Sequence, residues 1–490
     1  MTADLRWAEP VDAPRRPPLP QRPLRVVQIG EGNFLRCFIG WMIETANNAA
    51  VMDSAIAVVQ PLPEGSIETL RRQDGLYTVI LKGLRDGVLQ TEITLITAVQ
   101  ASIDPYTQWQ EFLALARVPT IRWMVSNTTE AGIVYQQCSM TPHSCPQSFP
   151  AKLTMLLYER FNHFHGSTEA GLHILPCELN ASNGSTLRRI VLQHAEDWQL
   201  SAAFRTWLAE SNRFFNTLVD RVVPGYPRDE AQSLEQELGY RDQLMVVGES
   251  FHCWIIEDPY NLTLDLCLEK AGLALTRVAD LGPYRERKVR ILNGAHTATV
   301  PAALLAGLAT VQQMAEHEVF GPLMRRMLMD EVIPQLTLDQ DESRRYAEDV
   351  LIRFANPAIR HYLADIALNS VAKFAVRVAP SIAAYQQVHG ALPPILSFSL
   401  AALIMLYRAC ATSETVEQPI RDDQQVIETC AAAWRDFSRN GDWVELSRRL
   451  VPPAFGDQVP PVGLIEHTAR QLAQIERDGI ANVARLLLAD

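Results

Sequence analysis

Apolar residues recur along this chain in two rhythms. From Leu24 to about Asp280 the pattern is one of short β-branched runs that each close on a polar or glycine-rich loop: LRVVQI before GEGN, AIAVVQ before PLPEGS, RWMVSN before TTEAGI, GLHILPC before ELNASNG. Between the first two, Phe34, Phe38, Trp41 and Met42 fall at helical spacing, which gives strand, tight turn, helix and a second strand one crossover later. QDGLYTVILKG and VLQTEITLITAV read as further strands around turns. Strands that alternate with helices and end in polar loops predict an open, mostly parallel sheet with its ligand crevice at the strands' carboxyl ends.

Beyond about Pro283 strand patterns nearly vanish. EHEVFGPLMRRMLMDEVIPQL, ESRRYAEDVLIRFANP and TARQLAQIERDGIANVARLLLAD all carry helical periodicity. The predicted class is α/β: an irregular proline-rich lead-in over 1–23, a Rossmann-like dinucleotide-binding domain over 24–280 with a mostly parallel sheet, and an all-helical substrate domain over 281–490. The amphipathic helices at the carboxyl end suit an internal core and a partner subunit equally.

Composition removes several classes. A chain of 490 residues that is 48% hydrophobic and 20% charged is neither disordered nor a small stapled scaffold. With 44 basic and 56 acidic side chains the net charge is −12, and the densest basic stretches, Arg71-Arg72 and Arg285 to Arg290, are short and mixed with acids, which argues against nucleic acid as a partner. The eight cysteines form no CxxC pair, so neither a zinc site nor a disulfide framework is expected. The lead-in has six prolines and lacks the apolar core of a secretion signal, from which a cytoplasmic location is expected. The longest uncharged run, Ile291 to Met314, contains Asn293, His296, Pro301 and two glutamines, and reads as a buried helix with working polar groups rather than a membrane span.

Two segments carry candidate chemistry. After Ile29 the chain reads Gly30-Glu31-Gly32-Asn33-Phe34-Leu35-Arg36. The first glycine allows a sharp turn, the second lets the backbone approach a pyrophosphate, and the helix that follows donates its free N–H groups to the phosphates. Leu35 stands where a third glycine is usual. At the end of the second strand, where an acid would hold an adenosine ribose, stands Gln60. It can hydrogen-bond a ribose hydroxyl without choosing between the two nicotinamide cofactors, and no arginine adjoins it for a 2′-phosphate. Asn127 and Thr128, where RWMVSN runs into its loop, are further cofactor-facing candidates.

The second segment is Lys288-Val-Arg-Ile-Leu-Asn293-Gly-Ala-His296. On a regular helix Lys288, Leu292 and His296 lie at i, i+4 and i+8, with Asn293 one turn before His296, so the three polar groups share one broad face. Hydride delivery to a ketone builds an alkoxide that must be stabilised and protonated. Lys288 supplies the proton, Asn293 a donor to the oxyanion, and His296 orients substrate or lysine. The structural alternative pairs Lys288 with Glu286 and makes His296 a core histidine. Three such groups opening a long uncharged run favour the chemical reading, since each unpaired buried polar group costs roughly 1–3 kcal/mol. No HExxH or carboxylate cluster competes for a metal role.

These two motifs together resemble the mannitol dehydrogenase family of long-chain polyol and sugar-acid dehydrogenases. The family's GxGxFxR turn is met by Gly30, Gly32, Phe34 and Arg36, and its KxxxxNxxH pattern by Lys288, Asn293 and His296. QIGEGNFLRCFIGWMIE, QDGLYTVILKG, SNTTEAGI, LVDRVVPGYPRDE and ERKVRILNGAHTA carry the likeness toward its sugar-acid branch. The resemblance implies NAD as cofactor, a small sugar acid as substrate, no metal, and no nucleic-acid or membrane partner. It also implies a second oxyanion donor near Cys177-Glu178, where this sequence has Leu179. That leaves Asn183, then Asn180, as the substitute. Asp220 and Arg221 match a substrate-contacting segment, and Lys373, with Arg377 one turn on, is a candidate for the substrate's carboxylate. A second class, a nicotinamide-binding sensor, would keep the glycine turn and have no need of the lysine motif.

Overall fold

The computed structural model describes residues 19–85, 88–128, 130–258, 266–411 and 420–489, so most of the proline-rich lead-in lies outside the described residues. The chain divides into two compact units, Met1–Leu281 and Gly282–Asp490.

The amino-terminal unit contains β1 (Leu24–Ile29), β2 (Ala55–Val59), β3 (Tyr77–Arg85), β4 (Val88–Ile96), β5 (Val99–Ile103), β6 (Trp123–Ser126), β7 (His173–Pro176), β8 (Arg213–Phe214), β9 (Thr217–Asp220), β10 (Val246–Glu249), β11 (Cys253–Glu257) and β12 (Leu275–Val278). Six of them form one sheet in the order β5-β2-β1-β6-β7-β8, with every pairing parallel. The two-residue side-chain period feeds two cores. Val26, Ile56, Val58, Trp123 and Val125 pack on one face, and Val27, Ile29, Ala57, Val59 and Met124 on the other. Burial on both faces is why these strands read as unbroken apolar runs, each large side chain contributing roughly 1.5–3 kcal/mol.

Two strand patterns belong elsewhere than the parallel sheet. β3 and β4 pair antiparallel, and β10 joins β3 in a separate three-stranded sheet; β9, β11 and β12 form a third. β4 is exposed over its first six residues, which is how a strand with one solvated face reads. The main sheet's edge strands are β5, which pairs with β2, and β8, which pairs with β7. The strand order changes direction at β1, between β2 and β6, which puts the crevice of an open parallel sheet at the carboxyl ends of those three strands.

A buried arginine ties the loops on this sheet together. Arg160 donates to the carbonyls of Ala170 (2.6 Å), Ala116 (2.9 Å), Val118 (3.0 Å) and Ile121 (3.0 Å).

Every helix-or-strand element described in the second unit is a helix, apart from an isolated bridge between Thr310 and Tyr362. The uncharged run is not one helix: a π turn over Lys288–Asn293 leads into the helix Gly294–Leu305, and a separate helix spans Val311–Glu316. The most apolar helix is Pro394–Leu406, buried from Ile395 to Met405. With its 3₁₀ extension to Ala411 it has the length and composition of a membrane span, yet 67% of it is buried inside the unit. Its first N–H groups meet Glu331, which sits in another π turn, Met327–Val332, and accepts from Ile395 (2.7 Å) and Leu396 (2.8 Å).

Burial pushes the Glu331 carboxyl up to about 7 in spite of those two N–H donors. A carboxyl raised in the folded state favours folding while protonated. Stability is therefore greatest below the unfolded value and falls as pH rises through about 7. Unfolding in urea between pH 5 and 8 should show the helical unit losing up to about 3 kcal/mol across that window. In Glu331→Gln that slope should flatten.

Candidate active site

The glycine turn sits at the switch point of the sheet. Gly30 follows β1 with φ +122° and donates to the Val59 carbonyl at 2.8 Å; a Cβ there would lie 3.0 Å from the Asn127 carbonyl oxygen and 3.1 Å from Leu35. Position 30 therefore requires glycine on two counts. Gly32 opens the helical run Asn33–Asn48, has no side-chain cap, and presents open space where a Cβ would stand. An uncapped helix start beside an unobstructed backbone is what a phosphate needs. Leu35 is buried, and the close packing a third glycine allows occurs instead at Gly40, where a Cβ would meet the Tyr77 hydroxyl.

The side chains of this turn mostly brace it. Arg36 is buried and donates to the Glu31 carbonyl and to Asn33 Oδ1 (2.8 Å), and burial lowers its pKa. It is a strut of the loop rather than a cation presented to a ligand. Phe34 stacks on Phe38 at 5.0 Å. Glu31 accepts from the Ser66 N–H at 3.2 Å and, with its burial, is pushed above the usual carboxylate range. Gln60 differs from expectation. Its amide donates to the Leu62 (2.9 Å) and Pro63 (3.2 Å) carbonyls and its oxygen accepts from Ile67 (3.3 Å), so it closes the loop after β2 instead of offering a group to a ribose.

At the ends of β6 and β7 the polar loops meet on one buried acid absent from the expected set, Glu178. It accepts from Ser126 Oγ (3.0 Å) and from the N–H and hydroxyl of Thr128 (both 2.9 Å), while Asn127 donates to the Cys177 carbonyl (2.8 Å). Burial raises the Glu178 pKa. The signal for it was an acid at a strand's carboxyl end facing a neighbouring strand that ends in hydroxyls.

Asn183 is a correction. It is fully buried; its Nδ2 donates to the carbonyls of Pro176 (2.9 Å), Glu178 (2.8 Å) and Thr217 (3.1 Å), and its Oδ1 accepts from Gly184 and Thr217, both at 2.9 Å. Both amide hydrogens are committed, so it locks the loop after β7 to β9 and has no donor for a substrate. Half-buried Asn180 is the other side-chain amide of this loop. Arg221 is corrected likewise: buried under Trp41 at 4.2 Å, it donates to the carbonyls of Cys37 (2.5 Å), Phe251 (3.0 Å) and Ser250 (3.3 Å). Asp220, also buried, ends β9 opposite Cys253.

The lysine motif lies in the helical unit. Lys288 and Asn293 bound the π turn. Five residues apart on an α-helix they would point roughly 140° away from each other. A π turn closes i to i+5 and returns them to one face. This replaces the i, i+4, i+8 geometry expected from a regular helix. Lys288 is half-buried; beside it Arg287 pairs with Glu342 and lies over Tyr346 at 4.6 Å, and Glu286 accepts from Thr337. His296 is buried, stacked on Phe354 at 4.0 Å and edge-on to His361 at 5.2 Å. Burial, with the positive charges of His361, Arg377, Arg353 and Lys373, holds it well below its ordinary value, so the imidazole is neutral. Its Nε2 is buried with no hydrogen-bond partner. Lys373, in the helix Ser370–Arg377, shares this neighbourhood and donates to the Ile366 carbonyl at 3.0 Å. Among the described residues no three His, Cys, Asp or Glu side chains gather as a metal site would need.

A switch-point glycine turn in one unit and a lysine, asparagine and histidine motif in the other define a dinucleotide-dependent dehydrogenase class. Residues 24–270 match the mannitol dehydrogenase Rossmann domain and residues 280–446 the mannitol dehydrogenase C-terminal domain. The chain belongs to the mannitol dehydrogenase family and is an oxidoreductase. It is 45% identical over 421 residues to the altronate oxidoreductase of Yersinia enterocolitica, covering 86% of each chain. Over 477 residues it is 42% identical to the altronate oxidoreductase of Escherichia coli, covering 95% of this chain and 97% of that one. Two solved structures share the fold. A D-sorbitol dehydrogenase in substrate-free form has a TM-score of 0.78 at 20% identity, covering 94% of this chain and 95% of that one. Pseudomonas fluorescens mannitol 2-dehydrogenase, in ternary complex with NAD and D-mannitol, has a TM-score of 0.70 at 21% identity, covering 96% and 95%.

The structural role of Asn183 has a measurable consequence. Asn183→Ala strips buried carbonyls and N–H groups of their partner and should cost the amino-terminal unit about 2–3 kcal/mol in urea unfolding. A residue that donated only to substrate would leave that transition in place.

Proposed function

We propose that this chain is an NAD-dependent reductase of D-tagaturonate, forming D-altronate reversibly in hexuronate breakdown. The observation that supports this most is the likeness, along 86% of the chain or more, to proteins named altronate oxidoreductase, in a sequence that keeps lysine and asparagine on one π turn of the second unit and histidine at the start of the helix that follows. For the cofactor, the open backbone at Gly32 and the uncapped helix start fit a pyrophosphate. The loop after β2, QPLPEGS, contains an acid and no base, which favours NAD over its 2′-phosphorylated form.

When bound, the nicotinamide supplies the hydride. The chain's own residues handle the oxygen. Asn293 donates its side-chain amide to the ketone oxygen, where negative charge develops. Lys288, on the same face of the π turn, gives an ammonium proton to that oxygen as the alkoxide forms, and in the oxidative direction takes it back. Neutral His296, whose Nε2 has no partner among the described residues, is the group left to hydrogen-bond a substrate hydroxyl without adding a second proton source. This division of labour needs no metal.

Lys288→Ala should lower kcat by at least about 10²-fold and leave NADH affinity unchanged by fluorescence titration. The substrate is decided by steady-state oxidation of NADH and NADPH with tagaturonate, fructuronate and fructose side by side. Preference for fructuronate would make the chain a fructuronate reductase, and preference for fructose a polyol dehydrogenase on the same fold. NADH binding without turnover of any of them would leave the sensor.

A further inference from the structure

Many arginines of the helical unit are answered by an acid, among them Arg287 by Glu342, Arg325 by Glu348, Arg408 by Glu476, Arg421 by Asp365 and Arg449 by Asp436. Arg377 is not. It is half-buried, and its guanidinium makes one long contact, to the Thr297 hydroxyl at 3.3 Å. Lys373, one helical turn earlier and also half-buried, donates to a neutral carbonyl. Lys373 feels the Asp422 carboxylate, but among the described residues no acid answers Arg377; withdrawing that guanidinium from water without a counter-charge is costly, and a folded chain tolerates it where a ligand supplies the missing charge. The same place holds the unpartnered, buried Nε2 of His296, with His361 edge-on to that ring at 5.2 Å. The cluster has the composition of an anion site with its anion left out.

Its position fits a particular anion. The main chain of Arg377 packs against Gly294, whose Cβ would lie 3.3 Å from the Arg377 carbonyl oxygen, and its side chain reaches Thr297. Thr297 is four residues beyond Asn293, so the guanidinium stands about 6 Å along the helix from the group that meets the ketone oxygen. In a ketohexuronate the ketone carbon and the carboxylate carbon are four carbon–carbon bonds apart, about 5 Å when extended. We infer that Arg377 is the specificity residue that receives the substrate's carboxylate, in a two-bond fork, with Lys373 as the second positive charge beside it. The planar guanidinium, which has donors to spare, suits that geometry better than the ammonium of Lys373, one donor of which is already spent. The assignment rests on the sugar-acid reading above and deepens it.

The test compares kcat/KM for D-tagaturonate and for its uncharged counterpart, D-tagatose, in wild type, Arg377→Met and Arg377→Lys, with NADH titrations as a check on the cofactor site. Wild type should prefer the acid. Arg377→Met should lose at least about 10²-fold on the acid, chiefly through KM, with the neutral ketose and NADH unaffected. Arg377→Lys, which keeps the charge and loses the fork, should fall between the two on the acid alone. Equal loss on both substrates, as a merely structural role would give, overturns the assignment, and so does an acid preference that survives in Arg377→Met. A wild type indifferent to the carboxylate overturns the hexuronate reading itself.

Discussion

A polar group taken out of water has to find a partner, and much of this structure is the answer to that requirement. Arg160 is matched by four main-chain carbonyls, Arg221 by three, and Asn183 by three carbonyls and two N–H groups. Glu178 and Glu331 are matched by N–H and hydroxyl donors at the ends of strands and at the start of a helix. Loops at the carboxyl end of the parallel sheet are irregular in backbone, and Asn183 and Glu178 replace the hydrogen bonds that regular structure would have given them, as Arg160 does for the loops that lead into β6 and β7. A dinucleotide crevice needs such loops held still, because its phosphate donors are main-chain groups that cannot adjust one by one.

The same requirement separates scaffold from site. Polar residues whose partners are complete hold the fold. Among the incompletely partnered groups of the helical unit, the Nε2 of His296 and the charge of Arg377 stand next to the turn that presents Asn293. Protein groups do not complete them, and a hydroxylated, carboxylated ligand has the complementary chemistry.

How much of this was legible in the sequence depends on what each pattern encodes. Apolar runs ending in polar loops identified β1, β2, β6 and β7, because burial on both faces leaves nothing else for them to be, and missed the edge strands β5 and β8, which lack such a run. Apolar runs around turns marked β3 and β4 as strands, but such runs say nothing about which sheet a strand joins, and that pair stands apart. Gly30 was readable because a positive φ leaves few residue types available. Asn183, Arg221 and Gln60 were misassigned for a shared reason: an amide or guanidinium in a site loop has one spelling whether it turns toward a ligand or back onto its own backbone. The Lys288 motif was found by residue type, with its geometry drawn on the wrong helix, since apolar periodicity averages over a single widened turn.

That widened turn makes length itself a functional property. Between Lys288 and Asn293 the four intervening residues set the rotation from one to the other. Each residue of helix turns the chain by roughly 100°. At the present count an ordinary helical turn would part the lysine from the asparagine by roughly 140°, and the wider turn returns them to one face. Count and pitch therefore have to match. Exchange of Val289 or Leu292 for another apolar residue is a change of packing, whereas straightening the turn at its present length would undo the pairing of the two groups.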